Sequence, residues 1–171
     1  MDKKNMNLNS IPLFNSPFEL GIRMVYLLSS LRPIGADLQK LVLLDYAIVY
    51  SEDLDGPTSL HTPVPYRGGE LLSRRELIEQ GLYLMSTKGL IDVTMDGEGV
   101  TYHSGSAAMT MIKSLTSKYF LELENRCNWV AKKYSLSNST ELTSSFAEKG
   151  HLWGAELESS MSQEGFQWQQ Y

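Results

Sequence analysis

The chain has 171 residues, and 15 Lys and Arg against 20 Asp and Glu give it a formal net charge of −5. That balance excludes a general nucleic-acid coat, whose domains are strongly basic, while leaving room for a local basic face. A hydrophobic fraction of 42% supports a folded core, and no apolar run approaches the roughly 20 residues that a membrane-spanning helix needs.

Cys127 is the only cysteine, so no intrachain disulfide can form and a reducing compartment is expected. The polar start at Met1-Asp2-Lys3-Lys4-Asn5 leads into no signal-like apolar run. A cytoplasmic protein without a membrane partner is therefore expected. The first fifteen residues read as a flexible lead-in, 16–134 as the folded domain, and 135–171 as a short helical segment with a polar tail.

Order begins at Ser16-Pro17-Phe18-Glu19, where Ser16 can cap, Pro17 suits the first helical position and Glu19 completes a capping box. The helix that follows, to about Ser30, is apolar on most sides and belongs inside a core or an interface. Arg32-Pro33 stops it. A second helix is expected over 35–50, with Leu38, Leu41, Leu44, Ile48 and Val49 on a wide apolar face. Asp45 sits within that run and needs a partner if buried.

Residues 51–70 hold three prolines and three glycines and little periodicity. A connection of that length is either a surface excursion, pinned by Leu60, Val64 and Tyr66, or a binding loop. Ser73-Arg74-Arg75-Glu76 then forms a second capping box, with Leu72 and Leu77 as a hydrophobic staple. Leu77, Ile78, Leu82 and Met85 supply a buried helical face, Lys88 lies in the last turn, and Gly89 is placed to cap.

Past Gly89 the period changes from 3.6 to 2. Ile91, Val93 and Met95 alternate with polar residues, Asp96-Gly97 supplies a turn, and Val100 and Tyr102 alternate again. A helix running directly into a short hairpin over 71–103 is the pattern of a winged helix. The expected class is therefore α+β, mostly α, with a two-stranded wing. One long helix from Ser104 or Ser106 to Tyr134 should follow, carrying Met109, Ile112, Thr116, Tyr119, Leu123, Arg126, Val130 and Tyr134 at spacings of three and four. That stripe suits either a coiled-coil seam for a partner or a helix laid across the core. A short helix is expected near 141–158.

Catalytic patterns are missing from the sequence. Arg67-Gly68-Gly69-Glu70 lacks the Lys-Ser/Thr of a phosphate-binding loop. A calcium loop beginning at Asp53 fails at Thr58, where it needs glycine, and at Val64, where it needs glutamate. His61, His103 and His151 lie far apart in sequence and share no metal-ligand spacing, and Cys127 reads as a buried structural thiol. No catalytic residue, metal or cofactor is expected. Arg67, Arg74, Arg75 and Lys88 are the candidates for nucleic-acid contact, but Glu76 and Glu79 leave the helix nearly neutral. Asp92, Asp96 and Glu98 would repel a phosphate backbone from the hairpin.

Four stretches together resemble a known family: 41–51 (LVLLDYAIVYS), 56–72 (GPTSLHTPVPYRGGELL), 74–82 (RRELIEQGL) and 153–156 (WGAE). They are similar to the small middle component of bacterial ABC-three-component systems, the group to which the Lamassu anti-phage systems belong. The resemblance spans roughly 15–158. It implies a non-enzymatic subunit working beside an SMC- or Rad50-like coiled-coil ATPase and an effector, commonly a nuclease, with DNA engaged mainly through the complex. The family's distinctive stretch points to an interface that includes His61, Tyr66, Arg67, Arg74 and Arg75, joined by Trp153. A winged-helix transcription regulator, dimeric through the long helix, is the rival reading.

Overall fold

A computed structural model describes residues 16–62 and 70–148, which are helical apart from one antiparallel hairpin. The expected class, α+β and mostly α, holds. Helix α1 (Pro17–Leu31) begins as its sequence dictates: Pro17 takes the first helical position, and the Glu19 N–H donates to the Ser16 hydroxyl at 3.2 Å. Residues 20–28 are all buried, so α1 runs through the middle of the core.

Helix α2 (Leu38–Val49) starts later than its apolar pattern suggests. Ala36 exchanges two backbone hydrogen bonds with Tyr102, at 3.0 and 2.9 Å, and is held extended. Asp37 then caps, its carboxylate accepting the Lys40 N–H at 2.7 Å. A 3₁₀ turn, Ser51–Leu54, follows at once, and Asp55 closes it in the left-handed region at φ 58°.

Helix α3 (Glu70–Ser86) corrects the expected start at Ser73. No helix breaker separates Gly69 from Ser73, and Glu-Leu-Leu propagates the helix back by a turn. At its other end Lys88 falls in the turn beyond the helix and not in its last turn, while Gly89 caps as expected. Gly89 sits at φ 68°, its N–H donates to the Ser86 carbonyl at 3.1 Å, and the Leu90 N–H donates to the Met85 carbonyl at 3.1 Å. This is a Schellman cap, closed by the buried pair Met85 and Leu90.

Strands β1 (Ile91–Asp96) and β2 (Gly99–Ser104) pair in the register Ile91↔Ser104, Val93↔Tyr102 and Met95↔Val100. Gly97 and Glu98 form the turn, the Asp96 carboxylate accepts the Glu98 N–H at 2.9 Å, and Gly99 takes φ 126°.

The single long helix expected up to Tyr134 is two helices, α4 (Ala108–Ser114) and α5 (Lys118–Tyr134). Between them Leu115 is extended and packs against the core, while the Ser114 hydroxyl donates to the Met111 carbonyl at 2.6 Å. Three hydroxyl side chains in four residues compete with the helical ladder here. Neither Ser104 nor Ser106 caps; Ala107 occupies that place without a side-chain bond. Helix α5 buries Leu123, Cys127, Val130, Ala131 and Tyr134, so of the two readings of this stripe it is the helix laid across the core. Helix α6 (Ser139–Glu148) begins with a reciprocal cap between Asn138 and Glu141 and buries Leu142 and Phe146; the rest of the expected 141–158 helix lies outside the described residues.

Candidate functional site

Helices α1 and α2 each bury a charged side chain within an apolar stretch, and the fold brings the two together. Arg23 and Asp45 are both fully buried, and the guanidinium donates twice to the carboxylate, from Nε at 2.8 Å and from Nη2 at 3.1 Å. Arg23 Nη1 also reaches Glu19 one turn earlier, at 3.3 Å. From α3, Arg74 joins the same carboxylate through Nη1 at 3.4 Å, with its guanidinium carbon 5.5 Å from the centre of the Tyr50 ring. One carboxylate thus fastens three helices.

Electrostatics decide the protonation of this cluster. Burial alone would raise the Asp45 carboxyl, but Arg23, its hydrogen bonds and Arg74 outweigh burial and hold it below the usual carboxylate range. His61 stands nearby, its Nε2 3.2 Å from the Tyr119 hydroxyl. Burial and the positive charge of Arg23 push the His61 imidazole down to about 4, so it is neutral at physiological pH. Burial likewise pushes the Cys127 thiol up, which makes it unreactive.

The expected interface residues separate in space. Arg74 is 4% exposed and turned onto Asp45, not outward. Arg75 is half-buried and donates to Gln39 at 2.7 Å. His61 faces Tyr119, and Lys88 is exposed in the turn after α3. Tyr66, Arg67 and Trp153 lie outside the described residues. Arg74 and Arg75 therefore form no outward basic cluster at the start of α3, because the buried Asp45 draws one of them inward. Arg23 is the site residue that the sequence reading missed. Its signal was present as a lone cation within an apolar helix, one helix before a lone carboxylate.

The first part of the proline-rich connection is packed onto α5 and is not a free excursion. Arg126 donates to the Thr58 carbonyl from Nε at 2.9 Å and from Nη2 at 2.7 Å, and Lys133 Nζ donates to the Leu54 carbonyl at 2.7 Å. Gly56 lies flat on the Trp129 ring, leaving no room for a Cβ. A recess of about 330 Å³ opens between α1 and α5, lined by Phe18, Ile22, Phe120 and Leu123 together with Ser16, Glu19, Arg23 and Tyr119.

Among the described residues no group of three or more His, Cys, Asp or Glu side chains is placed to hold a metal ion, and no helix is long and apolar enough to cross a membrane. The cluster's chemistry is cohesive: it holds charges against one another and presents no nucleophile beside a base. No curated protein and no solved structure matches the chain. A sequence profile does match, over residues 13–156, across every element that contributes to the buried cluster, and by that match the chain belongs to the family of ABC-three-component (ABC-3C) system Middle Component 2.

Proposed function

We propose that this protein is the non-catalytic adaptor of its ABC-three-component system, joining an SMC- or Rad50-like coiled-coil ATPase to an effector nuclease and coupling foreign-DNA sensing to effector activation, as in Lamassu-type defence. Membership in a multi-component family over 13–156 carries the reading. The inward use of Arg23, Asp45, Arg74 and Cys127 supports it, because the groups best suited to chemistry serve cohesion. The protein acts in the cytoplasm, and DNA reaches it through the complex. Expression of the whole operon with this chain tagged tests the proposal. Stoichiometric co-elution of a coiled-coil ATPase and an effector is expected, with no nuclease or ATPase activity in the chain alone. Elution of the tagged chain by itself, or intrinsic nuclease activity, overturns it.

One observation favours a second reading. The Ala36↔Tyr102 bridge adds a third strand position to the hairpin, and the order helix, bridge, helix, helix, hairpin supports a winged helix. Such a module can read DNA as a dimeric regulator. The buried Arg74 and the acidic hairpin weigh against that role, and gel shifts on the operon's own promoter separate the two readings.

A further inference from the structure

The recess between α1 and α5 is left open by the described residues. Phe18, Ile22, Phe120 and Leu123 give it an apolar lining, and Phe18 stands 57% exposed. Its charged lining is already engaged: Arg23 holds Asp45 at 2.8 Å and Glu19 at 3.3 Å. An occupant must therefore be apolar and uncharged. Ser16, which caps α1, lines the recess as well, so the chain enters α1 at this opening. Just before it in sequence stand Ile11, Pro12, Leu13 and Phe14, which lie outside the described residues.

We propose that Ile11-Pro12-Leu13-Phe14 folds back along α1 and fills this recess in its own chain, with Leu13 and Phe14 as the anchoring side chains. The inference stands whether or not the adaptor reading does. Its reach is sufficient. From Ser16 to Ile22 the helix rises about 9 Å, and four extended residues span about 13 Å. The reversal falls at Asn15, a residue type suited to turns. Pro12 brings no backbone N–H that burial would strand. The family match begins at residue 13, so it takes in Leu13 and Phe14 and leaves out residues 1–12. Trp153, Phe166 and Trp168 are the rival occupants, but they follow α6, which itself follows the far end of α5, about 25 Å from that helix's start. A tether of one residue gives 11–14 a higher effective concentration at the recess than those aromatics have. A second copy or a separate partner would also lose translational freedom on binding.

The test uses the full chain. NMR of the wild type should show nuclear Overhauser contacts from the Leu13 methyls and the Phe14 ring to the methyls of Ile22 and Leu123. Leu13→Ser with Phe14→Ser should lower the melting temperature by about 5 °C or more, the loss expected when two apolar side chains leave a packed site. Met6→Ser with Leu8→Ser, the same change made earlier in the chain, is the control and should melt as wild type does. Absence of the contacts in the wild type overturns the proposal, whatever the variants do. So does a Leu13/Phe14 variant that melts as wild type, or a control that falls equally far. Contacts to Ile22 and Leu123 from Trp153, Phe166 or Trp168 would make the C-terminal residues the occupant. Contacts found only between differently labelled chains in a mixed sample would make it a second copy, and in either case the proposal fails.

Discussion

Asp45 is the residue on which most of the buried polar structure turns. Replacing it with Asn keeps the volume but leaves Arg23 and Arg74 buried without their shared counter-charge. Breaking a buried pair in this way costs about 3–5 kcal/mol, so Asp45→Asn should lower the urea midpoint steeply or abolish folding. The triple change Arg23→Met, Asp45→Leu and Arg74→Met removes the charges together and should cost much less, because no orphaned ion is left. His61 gives a pH-dependent counterpart. Its imidazole titrates near 6.5 when unfolded and near 4 when folded. Between those values the unfolded state binds more protons, so stability falls as the pH drops from 6.5 towards 4. With its partial exposure allowed for, the loss amounts to about 1–2 kcal/mol. Denaturation curves across that window should slope less for His61→Gln than for wild type. Asp45 acts lower on the scale: its depressed carboxyl protects the fold until the pH falls below the usual carboxylate range.

At the scale of elements, two glycines separate what a sequence states openly from what it conceals. Gly89 follows a periodic helix and precedes an alternating strand, and both signals are local, so its role as a cap at positive φ was legible. Gly81 lies within α3, where glycine usually weakens a helix by about 1 kcal/mol relative to alanine. Its reason is α1: a Cβ at Gly81 would come within 2.7 Å of the Gly21 backbone nitrogen, because the two helices cross backbone to backbone. Gly81→Ala should therefore destabilise by about 1–3 kcal/mol despite its better helix propensity. Gly89→Ala meets open space and should cost about 1 kcal/mol from backbone strain alone. Thermal melts of the two variants measure the difference. The break at Leu115 was hidden for the same reason as Gly81. A continuous spacing of three and four passes through Thr116, and the packing of Leu115 against the core, together with the hydroxyls around it, interrupts it.

For the whole molecule, the net charge of −5 and the inward turn of Arg74 predict weak, nonspecific DNA binding by the isolated chain. Fluorescence anisotropy at physiological salt should give a shallow salt slope and no preference for the operon promoter. Sharp, sequence-specific binding would favour the regulator reading. Legibility followed distance along the chain. The mostly helical class, the Ser16 cap, the hairpin and the need of Asp45 for a partner could be read locally. The identity of that partner could not, since Arg23 and Arg74 lie 22 and 29 residues away and meet Asp45 only through tertiary packing. The grip of α5 on the 51–62 connection has a different consequence. Arg126 and Lys133 hold the main-chain oxygens of Thr58 and Leu54, groups that every amino acid carries. This anchorage is blind to side-chain identity: exposed positions such as Glu52 and Thr58 can be rewritten while the path of the chain is kept.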